Sequence, residues 1–443
     1  MLAFLFTGLY KLMNTLSELK TGKLAGAKHL QLVEQLSEFP TDIFKLADTL
    51  EVLDLSNNNL SDLPDEFSCL HRLKRVFLSF NQFKHIPTVL VKCPALIMVA
   101  FKGNKISEFA PNSLPKNIEW LILTDNNLHE LPDDFGNYTQ LKKLALAGNN
   151  LKNLPASMAN CTNLELVRLS ANNLIKLDDW LLELPKLAWL AFAGNNFNKA
   201  QCLTKSTLKN TPLENFQLKK VIGQGASGVI HLAKTEHNNV AVKLFKGAIT
   251  SDGYPLDEVN CCLQAANHAN LIKVLSYIEQ SEQLGLVMEL IDSNYTNLGL
   301  PPSLETCTRD TFNDGCNYSI EAVYKIAKQM ANTLTHLHTN KVSHGDIYAH
   351  NTMINEHYDV LFGDFGAATN LVMLSEYQQQ QIQLIEVRAF GCLIEDLLST
   401  VSAADKQNDL FDKMSDIAAR ATNSVIASRP SFKALNVLLN ELV

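Results

Sequence analysis

The residues best suited to chemistry in this 443-residue chain lie between Ser343 and Gly366, in SHGDIYAHNTMINEHYDVLFGDFG. His344-Gly345-Asp346 stands five residues before Asn351, and Asp364-Phe365-Gly366 follows two short apolar runs. Phosphoryl transfer needs a carboxylate to orient the attacking hydroxyl and accept its proton, and oxygen ligands to hold Mg²⁺ on the nucleotide phosphates. Asp346 can serve the first need. Asn351 and Asp364 can serve the second, as metal ligands. Either triplet alone says little, but together, in this order and at this spacing, they are specific.

Such a loop works only if other elements bring a nucleotide to it. Ile222 to Val229, IGQGASGV, places Gly223, Gly225 and Gly228 between two β-rich stretches, which predicts a hairpin lid over phosphates. Glycines let backbone N–H groups come close to phosphate oxygens. Ile222, Val229 and Ala241 flank the same nucleotide position. The next strand, Val240-Ala241-Val242-Lys243, carries a lysine suited to the α- and β-phosphates. Glu258, on the helical stretch LDEVNCCLQAAN, is the partner predicted to hold Lys243 in place. Met288-Glu289-Leu290-Ile291 follows an apolar strand and reads as the join between two lobes, with backbone groups for adenine and Met288 behind it. Residues 321–338, EAVYKIAKQMANTLTHLH, predict an amphipathic helix leading into the catalytic loop.

The first half is organised differently. Segments beginning at Leu50, Leu73, Leu96, Ile118, Leu141, Leu164 and Leu187 follow one another every 22 or 23 residues. Each follows LxxLxLxxNxL, as in Leu141, Leu144, Leu146, Asn149 and Leu151, which is the leucine-rich repeat pattern. One repeat cannot bury its apolar positions alone, so neighbours must stack. Asn58, Asn81, Asn104, Asn126, Asn149, Asn172 and Asn195 recur after each predicted strand, and a ladder of amide hydrogen bonds is their expected use. Outward strand positions, among them Trp120, Ile122, Arg168 and Trp189, are read as anchors for a protein partner on a concave strip about 30 Å long, given strands ~4.8 Å apart.

With these motifs in place, residues 216–443 resemble a protein kinase domain of the eukaryotic-like type, and the whole chain resembles bacterial leucine-rich-repeat protein kinases. The resemblance implies an α/β repeat solenoid of horseshoe shape followed by an α+β bilobal kinase-like domain. Its boundaries are an N-terminal segment 1–26, repeats 27–198, a cap and linker 199–215, and a kinase domain 216–443 with lobes 216–288 and 292–443. It implies ATP and Mg²⁺ as cofactors, with Lys243, Glu258, Asp346, Asn351 and Asp364 in the roles above. Transfer to serine or threonine hydroxyls of proteins is the implied activity. A pseudokinase scaffold and a small-molecule phosphotransferase of the aminoglycoside type share enough of these residues to be the alternatives.

The chain departs from the family's pattern at several places. Gly345 stands where many kinases have an arginine that reads a phosphorylated activation loop. Tyr348 takes the place of a phosphate-contacting lysine, and His350 occupies the alternative position for that cation. Only 19 residues separate Gly366 from Glu386, which replaces the usual aspartate of the following helix. Arg429 resembles an arginine whose glutamate partner is missing, and Glu376 is the candidate substitute. Peptide recognition is the function these changes touch most.

Composition sets the remaining bounds. The chain is 46% hydrophobic and 19% charged, as a globular protein is. Lys+Arg against Asp+Glu is 22 to 21 over residues 1–215 and 16 to 25 over 216–443, so the second half carries 16 − 25 = −9. That charge excludes nucleic acid as a natural partner. The nine cysteines form no CxxC or His-spaced cluster, so no zinc site is expected and a reducing compartment fits. The apolar run MLAFLFTGLY lacks a basic flank and is too short to span a bilayer, and Met13 is an alternative start. A cytoplasmic protein without a membrane span is the expectation.

Overall fold

The repeat leucines become the middle residues of short parallel strands. The computed structural model describes residues 14–199, 208–225, 227–247, 252–280 and 283–442, so the run 1–12 with Met13, and residues 200–207 of the cap and linker, lie outside the described residues. The chain forms two compact units, one ending at Leu184 and one beginning at Pro185.

In the first unit, the short helix α1 (Leu16–Lys20) precedes strands β1 (His29–Gln31), β2 (Val52–Asp54), β3 (Arg75–Phe77), β4 (Met98–Ala100), β5 (Trp120–Ile122), β6 (Lys143–Ala145) and β7 (Leu166–Arg168). They pair in parallel and in chain order, with Leu30, Leu53, Val76, Val99, Leu121, Leu144 and Val167 in one row. All seven are buried. Three residues cannot hold a strand alone, so each depends on its neighbours. Return segments form 3₁₀ turns entered through Pro40, Pro64, Pro87 and Pro155, whose fixed φ suits the start of a helical turn. The last return carries α2 (Asp179–Leu182).

The asparagines stitch successive repeats. Asn149 Nδ2 donates to Leu123 O and Leu146 O at 2.9 Å, and its Oδ1 accepts from Leu128 N–H at 3.0 Å. Asn81, Asn126 and Asn172 repeat the pattern. The groups served are buried backbone atoms, each worth about 1–3 kcal/mol if left unpaired.

The second unit opens with the strand of the seventh repeat, β8 (Trp189–Ala191). A five-stranded antiparallel sheet follows, made of β9 (Gln217–Gln224), β10 (Gly228–Lys234), β11 (Asn239–Phe245), β12 (Val274–Gln280) and β13 (Gln283–Glu289), in the order β12-β13-β11-β10-β9. Its core packs Phe216, Ala233, Val240, Val242, Ile278 and Val287. Helix α3 (Pro255–Ala265) lies on this sheet through Val259, beside Phe245 and Leu286.

The rest is mainly helical. After β14 (Thr296–Asn297), helix α4 (Ile320–Thr339) is capped by Ser319 and buries Ile320, Val323, Ile326, Met330, Leu334 and Leu337, the three-to-four spacing of one helix face. It delivers the chain to β15 (Val342–Ser343) and the loop before β16 (Thr352–Ile354), which pairs with β14 and with β17 (Val360–Phe362). Strand β18 (Thr369–Asn370) pairs with β15, and α5 (Glu376–Ser399) starts at once behind a Ser375–Gln378 capping box. Helices α6 (Asp409–Ala421) and α7 (Phe432–Asn440) complete the unit. Among the described residues, no helix is long and apolar enough to cross a membrane.

Candidate active site

The glycine-rich stretch is the turn between β9 and β10, paired Gln224 to Val229 and closed by Gly225 N–H to Gly228 O at 3.0 Å. A Cβ on Gly228 would lie 2.5 Å from Leu244 O, so only glycine lets β10 approach β11 this closely. Gly225 borders open space, which leaves its backbone accessible to a ligand. Gly223 faces Ile230 at ordinary contact distance. Ile222 is exposed, Val229 half-buried and Ala241 buried.

Lys243, in the middle of β11 opposite Ile230 and Leu286, forms a buried ion pair with Glu258 of α3. Burial disfavours its ammonium, but the carboxylates of Glu258 and Asp364 outweigh this and push it up to about 12. Lys243 therefore stays charged. Met288 and Glu289 end β13 opposite Ala241 and Val240 of β11, Glu289 N–H donates to Lys273 O, and Ile291 follows just beyond the strand.

The catalytic loop is held from several sides. His344 is buried, with Nε2 on Gly363 O at 3.0 Å and its ring against Phe362 and Phe365. Burial lowers its pKa, so the ring is neutral near pH 7. Gly345 has φ +72, and a Cβ there would lie 2.6 Å from Ala367 O and 2.9 Å from Leu190 O. The position that resembles an arginine site thus has no room for any side chain. Asn351 Nδ2 donates to both the carboxylate and the carbonyl of Asp346 at 3.0 Å, and Asn351 O accepts from Gly363 N–H. Asp364 is exposed, with φ +60, and caps the turn through Gly366 N–H. Desolvation raises its carboxyl, but other charges, Lys243 foremost, hold it below the ordinary range.

This donor set suits Mg²⁺ and the phosphates it accompanies. Asn351 commits its amide N–H to Asp346, leaving Oδ1 as a ligand atom, and Asp364 adds a second hard oxygen. Lys243 supplies a fixed positive charge and the β9–β10 turn an open backbone.

Three contacts escaped the reading of motifs. Glu386, on α5, accepts from Gly345 N–H and from His338 Nε2 of α4, both at 2.6 Å. Asp310 accepts from Ala349 N–H at 2.6 Å and holds His350 Nδ1 at 2.7 Å. His350, the alternative cation of the sequence reading, is therefore tied to a carboxylate. Tyr348 is 1% exposed, its ring stacked on Trp189 at 4.7 Å and 2°. The sequence singles out Glu386, Tyr348 and His350, but not the partners they meet.

Two expectations need correcting. Trp120, Ile122, Arg168 and Trp189 were read as open anchors, yet they are 3%, 1%, 4% and 2% exposed. Lys143 Nζ sits 4.2 Å over the Trp120 ring, and Trp189 is closed off by Tyr348 and Ile347. Alternation along a strand sets which face a side chain takes, not whether that face is left to solvent. These four do not form a ready partner surface. Arg429, second, meets no carboxylate among the described residues: its donors go to the carbonyls of Asn423, Leu384 and Pro185, and Glu376 is not one of its partners. Burial lowers it to about 10.

A glycine hairpin, a lysine–glutamate pair, a loop carrying Asp346 and Asn351, and a turn presenting Asp364 have the layout of a protein kinase catalytic domain. Comparison with known proteins agrees. Residues 216–384 match the protein kinase domain, and residues 29–83 match the leucine rich repeat. The chain carries both. It is 25% identical over 235 residues to serine/threonine-protein kinase PITSLRE of Drosophila melanogaster, covering 46% of this chain and 23% of that protein. It is 23% identical over 201 residues to CTD kinase subunit alpha of Schizosaccharomyces pombe, covering 40% of this chain and 32% of that one. Aurora/IPL1-related protein kinase 2 of Caenorhabditis elegans is 28% identical over 159 residues, 35% of this chain and 48% of that protein. The chain thus spans less than half the length of these relatives. All three are eukaryotic, and the bacterial side of the resemblance gains no support from them.

Proposed function

We propose that this chain is an ATP-dependent protein kinase that transfers the γ-phosphoryl group to serine or threonine hydroxyls of proteins. The observation that carries this reading is the buried Lys243–Glu258 pair, set within the electrostatic reach of Asp364. Keeping an ammonium in a buried site is costly unless it is paired, and a fixed cation beside an exposed carboxylate suits a nucleotide with its metal.

In this reading Asp346 orients the acceptor hydroxyl and takes its proton, while Asn351 holds the Asp346 carboxylate in place. Lys243 holds the α- and β-phosphates, with Glu258 fixing its position. Gly223, Gly225 and Gly228 cover the phosphates with backbone N–H groups, and Ile222, Val229, Ala241 and Met288 enclose the base, whose polar edge meets the backbone at Glu289 and Ile291. Asn351 and Asp364 are the ligands for Mg²⁺, which neutralises phosphate charge when bound. The repeats, 27–198, form a horseshoe solenoid that recruits a protein partner by residues other than the four buried ones. The linker is 199–215, the kinase domain 216–443, and the compartment cytoplasmic.

The test is labelled-ATP transfer by the full chain and by Asp346→Asn, with the chain itself and a basic generic protein as acceptors. We expect transfer in the first and a loss of at least ~10³-fold in the second, with ATP still raising the melting temperature of both. A second reading, a pseudokinase scaffold, is favoured by Tyr348 under Trp189 and by the brief stretch 367–375 before α5. No transfer above Asp346→Asn to protein or to small alcohols would favour it.

A further inference from the structure

Strand β8 and the turn behind it belong to the same unit as the nucleotide site and touch it along its length. At the start, Pro185 O accepts from Arg429 at 2.6 Å and Lys186 O from Arg388 Nε at 3.0 Å. In the middle, Trp189 Nε1 donates to Ile347 O at 3.0 Å while its ring lies flat on Tyr348, and Leu190 O fills the space beside Gly345. At the end, Gly194, with φ +75, lies so close to α3 that a Cβ would meet the Tyr254 ring at 2.5 Å and Asp257 Oδ2 at 2.7 Å. Lys199 Nζ stands 5.0 Å over Tyr254. Residues 185–199 are a strap fixed at both ends and pressed on the catalytic loop between them.

We propose that Trp189 is a positioning residue for phosphoryl transfer, fixing the catalytic loop so that Asp346 meets the acceptor hydroxyl. This rests on the role given to Asp346 above. Ile347 directly follows Asp346, so the bond from Trp189 Nε1 to its carbonyl fixes the Ile347–Tyr348 peptide, one plane beyond the reacting residue. The stack on Tyr348 immobilises the residue after it. Asn351 holds Asp346 from the other side. Residues 367–375 support the loop through the short β15–β18 pairing and the approach of Ala367 O to Gly345, and a repeat adds the contacts at Ile347 and Tyr348. A displacement of about 1 Å in a reacting group costs on the order of 10²-fold in rate. Flat stacking with a hydrogen bond from the same side chain is the sort of second contact that prevents it.

The experiment compares the full chain with Trp189→Leu and Trp189→Phe, measuring kcat, KM for ATP and amide hydrogen exchange across residues 344–351. Trp189→Leu should lower kcat ~10–100-fold, leave KM for ATP within about twofold, since no nucleotide contact changes, and speed exchange from Ile347 to Asn351. Trp189→Phe keeps a stacking ring and loses only the donor, so its kcat should fall ~3–10-fold. Unchanged kcat and exchange in both variants would overturn the proposal. A rise in kcat for Trp189→Leu would overturn it too, since the strap would then be a lid. If the leucine chain does not fold, the phenylalanine chain decides by its own kcat and exchange. If the unmodified chain transfers no phosphate, the proposed function fails alone: faster loop exchange in the variants still supports positioning, and unchanged exchange still refutes it.

Discussion

Replacing Glu386 by alanine removes the carboxylate that ties α4, α5 and the catalytic loop together. The residue is 1% exposed and its carboxylate accepts two 2.6 Å hydrogen bonds, from Gly345 N–H and His338 Nε2. Removing a buried carboxylate and leaving both of its donors without an acceptor costs about 3–5 kcal/mol. At ~2–4 °C per kcal/mol for a unit of this size, the thermal midpoint should fall by roughly 6–20 °C. Glu386→Gln keeps the volume and can still accept from Gly345, so its cost is nearer ~1–3 kcal/mol. Acidity separates charge from shape. Burial raises the Glu386 carboxyl, but the His338 and Gly345 bonds, with His344 nearby, hold it below the ordinary 4.5. A carboxylate depressed in the fold stabilises above its unfolded pKa and loses that contribution as pH falls through its folded value. The gap in midpoint between the unmodified chain and Glu386→Gln should therefore be full at pH 7 and close below pH 4.5. Calorimetric melts of the three chains across that range decide it. A gap as wide in acid as at neutral pH would refute the assignment of the charge, and an alanine chain within ~2 °C of the original would refute the energetics.

Two further outcomes follow from local geometry. Gly345→Ala forces a side chain into φ +72 and onto Ala367 O, which should cost ~1–3 kcal/mol and speed hydrogen exchange in β15 and β18; a midpoint equal to that of the original chain would count against the close approach. Asn149→Ala strips Leu123 O, Leu146 O and Leu128 N–H of their partner, so the urea midpoint of the repeats should drop with a loss of ~3 kcal/mol or more, and no drop would mean that water serves these groups equally well.

What the sequence made legible was what short-range spacing encodes. Strands β2 to β8 begin within the repeat pattern, and the asparagines bond where a side chain four residues past a strand must, because partners lie in adjacent repeats at fixed offsets. Lys243 and Glu258 could be matched because a strand and the following helix sit close in the chain. Contacts spanning long separations were not legible. Trp189 meets Ile347 and Tyr348 across about 158 residues, and no periodicity in either segment records the other. Asp310 sits in an irregular loop with no motif of its own, yet it fixes Ala349 and His350. Arg429 was matched to a carboxylate because it resembles an arginine that pairs with a glutamate. Three carbonyls at the meeting of a helix, a turn and a repeat meet its donors equally well.

The alignment of Leu30, Leu53, Val76, Val99, Leu121, Leu144 and Val167 in one row has a consequence for how such an array changes over time. Each internal segment presents the same edges to its two neighbours, so excising or duplicating a whole 23-residue segment within the array rejoins matching surfaces, whereas a shift of one residue breaks the row. The number of internal segments is therefore a quantity that recombination can alter stepwise while the join to the following unit stays the same.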